Sequence, residues 1–201
     1  MKKQFLFILT ATSLMTACGP RDNKVTVTDS KGEKTTVSVT PGNVTVTSED
    51  VQAKVEELKK LPPVSTETMK SFFPEEAMGI KRSSFNVSSA MGYSVGNAEY
   101  RKDDNVKYDV GIYDCVGEAG SVFYYSSWAG MNLQSESDQG YTKTVEYNGA
   151  KALETYTKAN NRHNLHFLSG DRFWVMVEGN DGIDNLKSFA SSLGLDKLKA
   201  K

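Results

Sequence analysis

Very little in this chain can cross-link it. It has two cysteines in 201 residues, Cys18 and Cys115, so a framework of several disulfides is excluded and the core must hold itself together. There is also no apolar run long enough to cross a bilayer. A spanning helix needs roughly 20 apolar residues, and the best stretch, from Phe5 to Leu14, is about half of that. No basic excess or stripe is present either: 24 Lys and Arg stand against 25 Asp and Glu, for a net charge of −1. A polyanion partner leaves a basic footprint, so nucleic acid is not an expected ligand. Finally, residues 19–50 contain no aromatic and no long aliphatic side chain, and such a segment can bury little apolar surface.

The first residues, MKKQFLFILTATSLMTAC, carry Lys2 and Lys3, then the apolar stretch, then small residues at Thr16 and Ala17. That is the tripartite layout of an export signal. Met15-Thr16-Ala17-Cys18 resembles the lipobox of bacterial lipoproteins, with Met15 where Leu is usual. The resemblance implies a lipid on the Cys18 thiol, removal of residues 1–17, and attachment to a membrane through that lipid. It also implies, because Gly19 rather than Asp follows the cysteine, the periplasmic face of the outer membrane. Removing residues 1–17 takes two lysines and no acid, which moves the net charge from −1 to −3. Cys115 is then the one thiol left, and a lone thiol in an oxidising compartment is expected to be buried as a small hydrophobe.

From Cys18 to residue 47 the runs KVTVTD, KTTVSVT and NVTVT alternate Val with Thr or Ser between turn residues, and read as a tether with short strands. Residues 48–201 read as one globular domain. Ser48 offers an N-cap for a helix in which Val51, Val55 and Leu58 recur at helical spacing before Pro62-Pro63. Met69, Phe72 and Phe73 suggest a further turn or two over 65–74. Turn chemistry at Asp103-Asp104-Asn105, Asn148-Gly149 and Gly170-Asp171 separates runs that predict strands near 97–102, 106–115, 141–147, 150–157, 162–169 and 172–178. Phe173, Trp174, Val175 and Met176 have no polar face, so the last of these is expected at the centre of the sheet, covered on both sides. Helices over 118–131 and 183–193 can supply the cover, the second stopped by Gly194. The fold class expected is therefore α+β, an antiparallel sheet of about six strands with helices packed on it. In architecture only, this order resembles the Mog1/PsbP-like sandwich, which implies a non-enzymatic binding or assembly module.

Several motifs suggest chemistry. Gly92-Tyr93-Ser94-Val95-Gly96 spells the G-x-S-x-G of a hydrolase nucleophile elbow, but that device needs a buried strand before the serine and a helix directly after it. Here a serine-rich stretch precedes and a strand-like stretch follows, so Ser94 is read as part of a loop entering the sheet. His163 and His166 are three apart, which on a strand sends them to opposite faces and denies them a shared metal. Asn180-Asp181-Gly182-Ile183-Asp184 resembles a calcium loop only superficially, and Asp181 or Asp184 is better placed to cap the last helix. Glu146, Glu154 and Glu178 could act as paired carboxylates only if the sheet register brought them together.

The aromatic residues Tyr124, Tyr125, Trp128 and Trp174 form the one grouping that suggests a ligand or partner surface, with Phe123 and Tyr156 nearby. The sequence as a whole thus points to a lipid-anchored envelope module that is not catalytic, needs no cofactor, and binds or supports an envelope protein. A carrier of a small apolar ligand held against the 118–131 helix is the alternative, and a Ser94 hydrolase the third reading.

Overall fold

The computed structural model describes the backbone of residues 23–28, 34–40, 43–46, 49–90, 92–130 and 133–199, and side chains over 51–89, 92–124 and 133–199. The export signal, Cys18, Gly19 and the Ser48 cap lie outside the described residues. The Val/Thr runs form three strands, β1 (Asn23–Thr28), β2 (Lys34–Thr40) and β3 (Asn43–Val46), paired antiparallel in that order.

The remaining elements follow as α1 (Glu49–Lys60), α2 (Thr66–Ser71), β4 (Glu76–Ala77), β5 (Ile80–Ala90), β6 (Tyr93–Arg101), β7 (Lys107–Asp114) and α3 (Gly117–Gly130). After these come β8 (Gln134–Ser137), β9 (Gly140–Tyr147), β10 (Ala150–Thr157), β11 (Arg162–Ser169), β12 (Phe173–Gly179) and α4 (Ile183–Ser192). Strands β4 to β12 make one antiparallel sheet, in the order β4-β5-β6-β7-β12-β11-β10-β9-β8. The class is α+β as expected, but the sheet has nine strands, not about six. The shortfall lies in β4, β5 and β8, none of which carries an apolar alternation. β6 also begins four residues earlier than its expected start at 97.

β12 is the fifth strand of nine and apolar on both faces. Its odd residues Phe173, Val175 and Val177 pack with Val110, Ile112, Leu165 and Phe167 under α2 and α4. Tyr108 stacks on Phe189 of α4 at 4.2 Å, and Tyr100 meets the same ring edge-on at 5.2 Å. Each such fully buried side chain stabilises by roughly 1.5–3 kcal/mol. On the opposite face Trp174 packs with Cys115, Val116, Tyr124, Val51 and Leu58 under α3 and α1. The nine-stranded sheet and its helices therefore form a three-layer sandwich, with helices on both faces.

The turns do what their sequence requires. Asn148 (φ 50°) and Gly149 (φ 79°), like Gly170 (φ 56°) and Asp171 (φ 50°), are left-handed at both central positions, the geometry of a tight hairpin. The Asp103 carboxylate accepts from the N–H groups of Asn105 and Val106 at 2.7 and 2.9 Å.

The link between α1 and α2 passes from one face to the other around the end of the sheet, and it is clamped there. Asp114, fully buried, accepts from Arg172 Nε at 2.6 Å and Nη2 at 2.8 Å, and from the Val64 N–H at 2.8 Å. The same Arg172 Nη2 donates to the Pro62 carbonyl at 2.9 Å, and the Ser94 hydroxyl donates to the Val64 carbonyl at 2.7 Å. Both oxygens of the buried Asp114 carboxylate thus have partners, and Arg172, 12% exposed, meets it through two nitrogens, the condition under which a buried charge is tolerated.

Candidate functional site

The helices cover the α1/α3 face unevenly. Cross-strand register sorts its side chains into rows that run across the sheet. Nearest α3 is the apolar row Val95, Tyr113, Trp174 and Leu168. One step along the strands is the row Asn86, Asn97, Gly111, Met176 and His166, and one step further the row Ser84, Glu99, Asp109, Glu178 and Asn164. Arg101, Lys107 and Arg162 end the face. The two middle rows line an open groove of about 760 Å³ that draws on five strands.

Gly111 forms its floor. A Cβ there would lie 3.3 Å from both the Asn97 Oδ1 and the Met176 Cε, so the absent side chain is what leaves the groove its depth. The acidic row is neutralised from its outer side. Glu178 bonds Arg162 at 2.7 Å, Asp109 bonds Lys107 at 3.1 Å, and Glu99 bonds Arg101 at 3.0 Å. Hydrogen bonds from the Ser83 hydroxyl and then Arg101 hold the Glu99 carboxyl below its ordinary range. Half-exposed pairs of this kind are worth at most about 1 kcal/mol each. Their effect is to leave the groove with little net charge. Among the described residues, no side-chain hydrogen bond engages Asn86, Asn97, Asn164 or His166. The groove thus offers three free amides, each with two donors and an acceptor oxygen. Burial lowers the His166 pKa, and the ring sits 5.6 Å from Trp174 at the border of the covered half.

The residues singled out by sequence fall elsewhere. Tyr124 of α3 and Trp174 beneath it are buried in the cluster with Cys115, and the side chains of Tyr125 and Trp128 lie outside the described residues. Phe123 is 43% exposed and stacks on Tyr113 at 5.6 Å. The Cys115 thiol is buried, which pushes its pKa up to about 12. Ser94 is not in a loop: it sits within β6, fully buried, with strand on either side and its hydroxyl committed to Val64.

His163 and His166 do project to opposite faces, since His163 stacks on Tyr156 at 4.5 Å while His166 faces Trp174. Asp181 does not cap α4. Gly182 occupies the N-cap, Asp181 accepts from the Tyr108 hydroxyl at 3.1 Å, and Asp184 stands in the first turn. Glu154 and Glu178 are on opposite faces, so they do not converge. Glu154 is buried, and burial alone would raise its pKa. Hydrogen bonds from Lys187, Tyr141 and Lys143 outweigh that and hold it down at about 2.

The groove was not singled out by sequence, although one signal pointed to it. Once Tyr108, Val110 and Ile112 are assigned to one face of β7, the complementary set Lys107, Asp109, Gly111 and Tyr113 must line the other. That set is charged and small at one end and aromatic at the other. What no local pattern shows is which half α3 covers. No protein-family model, curated protein or solved structure matches the chain.

Proposed function

We propose that the protein is a lipid-anchored envelope module, not catalytic, that holds a polar and uncharged segment of an envelope partner in the groove of its α1/α3 face. The observation that carries this reading is the groove itself, whose three free amides line an open floor while its carboxylates are already occupied by Arg and Lys. Such a surface favours hydroxyl- or amide-bearing partners that form directional hydrogen bonds. The alternative, a small apolar cargo beneath α3, has to displace Tyr124, Trp174, Cys115 and Val116, which pack on one another there.

The anchor and the groove are tested separately. Cys18→Ser is expected to abolish lipid attachment, change gel mobility and release the protein from the membrane; unchanged mobility and membrane retention would overturn the anchor. A photo-reactive residue at position 164 is expected to capture an envelope component in cells, whereas one at the exposed position 158 captures none. Equal yields at both positions would overturn the groove.

A further inference from the structure

Strand β5 is the longest of the sheet at 11 residues, and its outer side is almost bare. β4 meets it only at Ile80 and Lys81, and the Arg82 N–H reaches the Glu75 carbonyl. Beyond Arg82, no strand among the described residues lies against that side. The single irregularity in its pairing with β6 falls between Arg82 and Ser84, after which Ser84–Ala90 run in unbroken register with Glu99–Tyr93. Proteins normally blunt such an edge with charge, proline or a bulge. Residues 83–90, SSFNVSSA, contain no charge and no proline, and the bulge comes before them. The opposite edge is treated differently: β8 has four residues, with Glu136 among them.

We infer that β5 pairs antiparallel with β5 of a second copy of this chain, about a two-fold axis at Val87. Two residues separate the paired Ala90 and Tyr93, so the β5–β6 hairpin hydrogen-bonds Ala90, Ser88, Asn86 and Ser84 inward and leaves Phe85, Val87 and Ser89 facing out. An axis at Val87 sets Val87 against its equivalent and Phe85 against the partner's Ser89. Each outward N–H and C=O then finds a partner, six hydrogen bonds in all by this count. Phe85, 42% exposed and with Arg82 4.2 Å over its ring, lies beside a small side chain. No charge meets a like charge. The pairing uses the strand edge and not the groove, although such a pair would place both grooves on one side of a continuous sheet.

Sedimentation equilibrium of the full-length chain in detergent is expected to give twice the mass of one chain. Ser89→Pro removes an outward N–H from each copy without touching the β6 ladder. It is expected to weaken the dimer about tenfold or more while leaving the circular dichroism unchanged. Val87→Cys is expected to bridge rapidly to its equivalent on mild oxidation, because Cα atoms of facing residues lie near 5.5 Å, within disulfide range. Ser135→Cys on β8 is expected not to bridge. A monomer at every concentration, or equal bridging at the two positions, would overturn the proposal. So would a strand of a different protein captured at position 87 of a monomeric chain.

Discussion

The two halves of the α1/α3 face are built on the same strands but solve opposite problems. Under α3, Trp174 packs with Cys115, Val116 and Tyr124, and Tyr113 and Leu168 pack against that cluster. One row away Asn97, and two rows away Asn164 and Glu178, line the open groove. The strands do not change between the halves; only the cover does. The difference shows that α3 and the clamped α1–α2 link decide which part of the sheet is structural and which is available for binding.

The largest test of that division is to undo the clamp. Asp114→Ala leaves the part-buried Arg172 without its carboxylate and the buried Val64 N–H without an acceptor. It is expected to destabilise the domain by about 3–5 kcal/mol in urea unfolding, and a loss below about 1 kcal/mol would show that the covered half does not depend on the clamp.

Two glycines then separate the halves. At Gly120, where α3 abuts the sheet, a Cβ would stand 2.9 Å from the Asp114 carbonyl oxygen and 3.0 Å from Cys115 C, both rigid backbone. Gly120→Ala is expected to destabilise by roughly 1–3 kcal/mol. At Gly111 the neighbours are the flexible ends of Asn97 and Met176, so Gly111→Ala is expected to change stability by less than about 1 kcal/mol while filling the groove and lowering crosslinking from position 164. Equal thermal shifts for the two variants would remove the distinction.

The smallest effect is expected at the border. Burial lowers the His166 pKa below its ordinary value of 6.5. The unfolded chain therefore takes up the proton first, and this residue's contribution to stability is present above pH 6.5 and lost as the pH falls below it. NMR titration of the His166 ring should show a midpoint below 6.5, with a further shift when the groove is occupied. An ordinary midpoint would place the ring in the open half.

Much of the sheet was legible in the sequence because buried strands must declare themselves. β7 and β9 to β12 fall within a residue or so of their expected bounds, and the centrality of β12 follows from Phe173-Trp174-Val175-Met176 having no polar side. β5 was missed for the complementary reason. It is bare along one edge, and its Ser84 and Asn86 face the open half of the sheet, so nothing selects an apolar alternation. Ser94 misled in the other direction. A buried serine satisfied by the carbonyl of Val64, 30 residues earlier in the chain, is indistinguishable by composition from a loop serine. The groove depends on which half of a face is left uncovered, and that is a property of helix placement, not of any one strand.

The clamp at Val64 also has a mechanical meaning. α1 is the element through which any load from the N-terminal side enters the domain. Such a load reaches the sheet at the Pro62 carbonyl and the Val64 N–H and carbonyl, held from β6, the end of β7 and the β11–β12 turn at once. Tension is thus divided among three separate points of the sheet before it can peel an edge strand.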